Sequence, residues 1–530
     1  MGFGRDFSAR SGMPSGMRSG MRFGRPVWLA AAAAFVARFP SLLWPLRPDE
    51  AGFLLVARTW QPEPGSVYGH HWVDRPPLVI WLVRAADALG GPYAHRLVGA
   101  FACALLVLAA AGAAGEVARR ARLTDPAGAQ RVAGWAAALT AALVGNAWID
   151  PAAAKGELFG IPLVLASCWL ALRAVRRTSA PDAFWAGLLA MTALGLKQSI
   201  VGGLVFGAVL LAATLLTREL PARAGLRCAA AATAGAAVPV AAVVGWALAA
   251  GVRLPTLWYT VVTFRFDASR TIAAQSGGAP TDRAWLLLLL FLGVGMLFVL
   301  VCFATRLRAL LRHDAALVAA IAAVLVVDVV GIVVSGSYWK PYLLVPIPGL
   351  ALAVAALLTL DQVHPPRRPT TPAAVIFAVA SSVVALVTWT AAWAAGRVPV
   401  EVRTGEAIAA AAGPGDRVLV YGGRADIQWA SGAPSPYAHL WSLPMRTLDP
   451  RLSQLRKVLT GDGAPTWFVE ATRLDAWSER GTRRLERSLI RDYDLVTEAC
   501  DRYRVYRLRA AGPARLDVDC STPFRTIWGR

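Results

Sequence analysis

Residues 47–77 read RPDEAGFLLVARTWQPEPGSVYGHHWVDRPP and follow directly on an apolar segment, 26–46. The stretch holds an acidic pair (Asp49, Glu50), two histidines (His70, His71), a third carboxylate with its own cation (Asp74, Arg75) and a Pro-Pro brake. No other stretch sets so many ionisable groups beside an apolar run. Charge at a membrane boundary is costly unless it is paired or functional. The rest of the chain is therefore expected to hold this loop, supply a substrate to it or cover it.

The composition defines the setting. Of 530 residues 56% are hydrophobic and 16% charged, and the mean hydropathy is +0.49. Soluble domains carry roughly 25% charged residues. Apolar runs of about twenty residues, enough to cross a hydrocarbon core, recur along the chain. The expected fold is a polytopic α-helical membrane protein of about eleven spans. They are placed near 26–46, 95–115, 132–150, 157–175, 183–196, 198–217, 228–250, 284–304, 315–334, 342–360 and 373–395. The net charge of +21 does not point to nucleic acid. The arginines gather in short loops between spans, as cytoplasmic loops do, and a basic-aromatic groove pattern is absent.

Those arginines also orient the chain. The tail over 1–25, expected to be disordered and cytoplasmic, carries Arg5, Arg10, Arg18, Arg22 and Arg25. Every second connection afterwards is basic, down to Arg367-Arg368. The connections 47–94 and 251–283 then face outward, and an odd span count puts 396–530 outside as well. Within the first outward loop, 50–60 and 76–89 are amphipathic and too short to cross, with Trp60 and Trp81 suited to headgroup depth. From about 401 the pattern changes. DRVLVYGG, PTWFVEA and YRVYRL alternate as strands do, and RLSQLRKVL and SERGTRRLERSLIRDY have helical spacing. They predict a small extracytoplasmic α/β domain of about 130 residues. Cys500 and Cys520 lie in it, where an oxidising compartment permits a disulfide. Cys103, Cys168, Cys228 and Cys302 fall within spans as packing residues, and zinc spacings are absent.

Asp49 or Glu50 has the chemistry of a general base for a hydroxyl, or of a ligand for a divalent cation. Acids in the first turn of a helix that follows Pro48 also have a purely structural reading, since the macrodipole favours them there. His70 and His71 suit proton transfer or ligation, or plain solvation. Arg38, near the outer end of span one, either snorkels or faces the site. Asp74 and Arg75 form a local ion pair at the loop exit. Arginine outnumbers lysine 50 to 4, so the lysines are informative. Lys155, Lys197 and Lys340 all fall in connections predicted to face outward. Each is either a snorkelling anchor or part of a phosphate site, with Arg265 or Arg270 adding a forked contact. Glu157 is placed to orient Lys155 or to meet the substrate.

The chain resembles the GT-C superfamily of membrane glycosyltransferases, and specifically the family 39 branch of protein O-mannosyltransferases and lipid A aminoarabinose transferases. The resemblance runs from span one to about residue 360. It rests on Asp49-Glu50, YGHHWVDRPPLVIWL at 68–82, AHRLVGAF at 94–101, KGELFGIPL at 155–163, the lysine of LGLKQS and YWKPYLLVPIPGLAL at 338–352. The family often has His before the Tyr of its last motif; here Pro341 precedes Tyr342, with Lys340 one place earlier. The resemblance implies transfer of a sugar from a polyprenyl-phosphate donor to a glycan, lipid or protein hydroxyl outside the cytoplasm, with inversion. Asp49 would be the base or the residue that positions the acceptor, with Glu50 beside it; a divalent cation on the pair is a feature in which members of the family differ. Substrate contacts would come from Arg38, His70, His71, Arg75, Lys155, Glu157, Lys197, Arg265, Lys340 and Tyr342. The competing reading, a transporter or lipid flippase, has Asp328 in mid-span in its favour. Against it, the sequence has no internal repeat and the other charges collect at one face.

The orientation makes a prediction. A single cysteine introduced at Ala430 should react with impermeant maleimide added outside intact cells. Labelling from the cytoplasmic side alone would invert the topology.

Overall fold

The computed structural model describes residues 23–152, 154–274, 279–366, 368–395, 399–477 and 479–520. Arg5, Arg10, Arg18, Arg22 and Arg367 lie outside the described residues, as does the tail up to residue 22. Arg25 already begins the helix Arg25–Val36.

The chain is a multi-pass membrane protein. Six described helices are long and apolar enough to cross a membrane: Pro77–Arg120, Gly156–Arg177, Ala222–Ala249, Ala315–Val334, Lys340–Val363 and Thr370–Ala392. A bent pair, Pro280–Gly293 and Met296–Thr305, is broken by 69° and makes a seventh if its halves are counted as one span. Gly295 sits at the break with φ +88°, a conformation that costs glycine little. The remaining expected segments are also helical, as Arg25–Val36, Pro126–Val144, Ala180–Leu196 and Gly202–Leu216, but these are shorter or less apolar. The expected break between an interfacial helix and the next span is present too. Helix Pro77–Arg120 kinks at Gly90-Gly91, where Gly91 has φ +65° and Pro92 follows.

Helix Ile347–Val363 lies innermost, with every residue from Ile347 to Leu360 buried. Helix Ala222–Ala249 lies at the periphery, largely unburied, with Leu226 and Leu248 exposed as lipid-facing residues. It grips helix Ala180–Leu196 through small residues. A Cβ on Gly187 would overlap the Ala232 backbone, and one on Gly235 would overlap that of Phe184. Such close backbone approach drives helix association where lipid removes the hydrophobic incentive.

One aromatic departs from expectation. Trp60 is buried rather than set at headgroup depth. It packs 5.3 Å from Trp246 and 5.6 Å from Tyr68, and its indole donates to the Val67 carbonyl at 2.9 Å. The outward loop folds back on itself, and its turn needs an apolar plug whose N–H also finds an acceptor.

The C-terminal part is built on a four-stranded mixed sheet in the order β1-β2-β4-β3. These strands are β1 (Val418–Tyr421), β2 (Trp467–Glu470), β3 (Tyr493–Ala499) and β4 (Tyr503–Leu508). β1 runs parallel to β2, and the other pairs are antiparallel. Strand alternation sends Leu419, Tyr421 and Phe468 to one core, with Leu455 and Leu485, and Val418, Val420 and Trp467 to the other, with Ile408 and Ile427. β3 was not among the expected strands. Its sequence YDLVTEA carries two acids, and it pairs only along β4 through a turn in which Cys500 and Asp501 both have positive φ. The disulfide Cys500–Cys520 is formed and ties the end of this hairpin to the C-terminal segment.

A cross-link closing a loop of this length stabilises by about 2–4 kcal/mol, largely through the unfolded chain. Cys500→Ser should lower the thermal midpoint of the C-terminal domain, and reductant should do the same to the wild type but not to the variant. Free thiols at both positions in oxidised protein would refute the pairing.

Candidate functional site

Helix Pro48–Arg58 carries the acidic pair in its first turn, started by Pro48 and capped when Glu50 Oε2 accepts the Arg47 N–H at 3.1 Å. Adjacent helical residues point about 100° apart, so the two acids meet different surroundings. Glu50 turns inward and is completely buried. Arg96 donates to it twice, Nε to Oε1 at 3.0 Å and Nη2 to Oε2 at 2.8 Å, and the Ala154 N–H adds a third bond at 3.1 Å. Arg96 also donates to the carbonyls of Ser41, Trp44 and Pro45. Beside it the ring of His95 donates to the Ala154 carbonyl at 2.7 Å. The end of the first span, the acidic helix and the 145–155 connection are thus fastened to one guanidinium.

Asp49 turns the other way. Its Oδ2 accepts from Lys155 Nζ at 2.9 Å, and its Oδ1 from the Trp441 indole at 3.0 Å. Burial opposes its charge. The Lys155 and Arg75 cations and the two hydrogen bonds nevertheless hold its carboxyl well below the usual range. The Asp49 side chain is 30% exposed, against 10% for Asp74, 5% for Glu157 and none for Glu50. It is the carboxylate of this group that a substrate can reach.

Around it the expected cations converge. Asp74 is gripped by Arg75 at 2.6 Å and by Arg265 at 2.9 Å, which joins the two outward loops. Gln198 adds a bond to the Asp74 carbonyl at 2.8 Å. Burial disfavours charge on Arg75, but Asp74, Asp49 and Glu157 keep it firmly cationic. Lys197 pairs with Glu157 and lies 4.5 Å from the centre of the Tyr342 ring, and burial pulls its amine down to about 8 against that partner. Lys340 is half-buried within electrostatic reach of Arg47 and Asp150, and no carboxylate pairs with it among the described residues. Of the two arginines offered for a forked contact, Arg265 lies inside the cluster, whereas Arg270 is 82% exposed and paired with Asp267.

Three expected contacts sit elsewhere in the arrangement. Arg38 is buried, and its Nη1 donates to the Asp150 carbonyl at 2.7 Å and its Nη2 to that of Ala152 at 3.2 Å, so it braces the connection that ends in Lys155. His70 bonds the Ser435 carbonyl at 2.8 Å. Its donor is the ring Nε2, which fixes the tautomer. His71 is buried against it at 4.7 Å between ring centres, and burial with the neighbouring His70 pushes it down to about 3. These rings dock the loop onto the C-terminal part. Asp328 is buried in helix Ala315–Val334 beside Gly202 and outside the cluster.

The acidic pair does not offer a metal site as it stands. Both Asp49 oxygens and both Glu50 oxygens are engaged by N–H donors. Among the described residues no group of three or more His, Cys, Asp or Glu is placed to hold a metal ion.

Two contributors escape a reading of the sequence. Arg96 was visible only as part of AHRLVGAF, although a cation inside an apolar helix is itself a signal that a partner exists. Trp441 lies 392 residues from Asp49 and carries no local signal.

No family model and no curated protein matches the chain. Among solved structures it is similar to ArnT from Cupriavidus metallidurans bound to undecaprenyl phosphate, with TM-score 0.59, 15% identity, 92% of this chain covered and 99% of that one. The chain has an ArnT-like fold. The likeness extends over the helical part and the small mixed-sheet domain at the C-terminus. The apo form of the same ArnT gives TM-score 0.43 at 13% identity, covering 92% of this chain and 99% of that one. An Archaeoglobus fulgidus oligosaccharyltransferase tethered with an acceptor peptide gives 0.48 at 12% identity, covering 89% and 72%.

Breaking a buried ion pair by removing one partner costs about 3–5 kcal/mol, because the other charge is left uncompensated. Arg96→Leu should therefore destabilise the face carrying the acidic helix, read as a lower thermal midpoint in detergent. A midpoint unchanged from wild type would show that Glu50 is held by its backbone donors alone.

Proposed function

We propose that the protein transfers a sugar from a polyprenyl-phosphate donor to an acceptor hydroxyl of a glycan, lipid or protein, with inversion. The site would lie on the outer face of the cell membrane, with 396–530 on that side. The observation that carries this reading is Asp49: the most exposed carboxylate of its group, ionised between Lys155 and Arg75, with Arg265 on Asp74 and Lys197 on Glu157, so that four cations meet three carboxylates. A surplus of fixed positive charge beside one open carboxylate suits a reaction in which a phosphate leaves as a hydroxyl is deprotonated. The ArnT-like fold supports it, since that ArnT was solved with undecaprenyl phosphate bound.

In this reading the acceptor hydroxyl donates to Asp49 and its oxygen attacks the anomeric carbon from the face opposite the phosphate. The C–O bond to phosphate breaks, the polyprenyl phosphate leaves with the electron pair, and Asp49 takes the proton. Asp49 is ionised throughout the physiological range because its pKa is depressed, and charge is lost only as pH falls through that low value. It is a weak base, so the proton moves late, once the attacking oxygen has become acidic through bonding to carbon. Lys340 is the freest cation for the phosphate, because Lys197 is tied to Glu157 and Lys155 to Asp49. Arg265 and Arg75 add planar donors, and Tyr342 lies within electrostatic reach of both. The divalent cation belongs to this proposal as an option that must displace Lys155 or Trp441 from Asp49.

Two measurements on purified protein test the reading. With a panel of undecaprenyl-phosphate hexoses and pentoses and an alkyl glycoside acceptor, Asp49→Asn should lower turnover by about 10²–10⁴. Binding of undecaprenyl phosphate should survive that change and weaken in Lys340→Ala. Near-normal turnover in Asp49→Asn would remove it from catalysis, and EDTA inhibition reversed by a metal would restore the cation.

A further inference from the structure

The carboxylate that would take the acceptor's proton is held from outside the membrane domain. Trp441 belongs to the C-terminal part, at the end of a segment that lies along the outward loop. His70 bonds the Ser435 carbonyl, and the Trp72 N–H donates to the Ala438 carbonyl at 2.9 Å. The Trp441 indole then lies against helix Pro48–Arg58, 5.6 Å from the Phe53 ring, with its N–H on Asp49 Oδ1. Gly52 makes room for it. A Cβ on Gly52 would overlap the six-membered ring of Trp441. Gly52 has ordinary helical surroundings in sequence and lowers helix stability relative to alanine, so its presence here follows from that contact.

We propose that Trp441 is a positioning residue for sugar transfer: its indole N–H fixes the Asp49 carboxylate plane, and Gly52 is the seat that lets it do so. The inference rests on the glycosyltransferase reading above. Lys155 and Trp441 each hold one oxygen of Asp49. Together they stop the carboxylate rotating about its χ2 bond, and the remaining lone pairs point into the cleft where the acceptor hydroxyl arrives. Rotation of the carboxylate by a few tens of degrees would move those lone pairs off the line of the proton. Docking of the C-terminal part thereby completes the site, and the two parts of the chain act as one catalytic unit.

The test separates the hydrogen bond from the packing. Trp441→Phe keeps a ring on Gly52 but removes the N–H, and a thermal midpoint close to wild type would confirm that the docking survives. A hydrogen bond to a charged group contributes enough that kcat should fall roughly tenfold or more, with the donor KM unchanged. Gly52→Ala displaces the indole and should reproduce the kcat loss. The double variant should be no worse than either single one, because both remove the same contact. A Trp441→Phe enzyme with wild-type kcat would overturn the proposal, as would additive losses in the double variant. If the wild type transfers from none of the donors, the glycosyltransferase reading falls, and the role of Trp441 falls with it. If the wild type transfers and only the Trp441 effects are missing, the reading stands without this residue.

Discussion

The buried pair of Glu50 and Arg96 is the contact on which the face carrying the acidic helix depends. Taking two charges out of water is expensive, and attraction alone does not offset it unless the remaining polar atoms are also satisfied. Here they are. Glu50 accepts from Arg96, Arg47 and Ala154, and Arg96 reaches three further carbonyls at the end of the first span. The pair therefore does more than neutralise itself. It fixes where the first span stops, where the acidic helix starts and where the chain before Lys155 runs.

That inward role of Glu50 determines what Asp49 can do. Neighbouring positions on a helix cannot share a face, so burial of one acid presents the other to the cleft. Asp49 then meets Lys155, whose chain is held by the same Glu50 through Ala154 and by Arg38 through Asp150 and Ala152. The cationic cluster follows from the same geometry. Carboxylates are interleaved among the cations as Asp74 between Arg75 and Arg265, and Glu157 beneath Lys197. This keeps like charges tolerable in a partly desolvated place while leaving a positive surplus for an anion. Such a field is arranged before the substrate arrives and does not have to reorganise during reaction.

The C-terminal part is tied in by apolar, aromatic and hydrogen-bonded contacts, with Ala425 and Leu440 sharing the core of the helical part. Arg58 lies 4.4 Å from the Trp429 ring, and Arg446 donates to the Thr271 carbonyl.

Much of this was legible in the amino-acid sequence, and the reason is periodicity and cost. Apolar runs of membrane length have few alternatives in lipid, so the helices fell where hydropathy placed them, including the break at Gly90-Gly91. Lysines kept among abundant arginines marked Lys155, Lys197 and Lys340; in the structure Lys155 pairs with Asp49 and Lys197 with Glu157, whereas Lys340 has Arg47 and Asp150 within electrostatic reach. The sequence also determined that Asp49 and Glu50 begin a helix. Only the tertiary structure decided which of them is buried, because that depends on where Arg96 points from another helix. It likewise sent Trp60 into the core and brought Trp441 to Asp49 across 392 residues of chain. Local patterns report which face of an element is apolar. They carry no information about which distant side chain will fill the space a glycine leaves open.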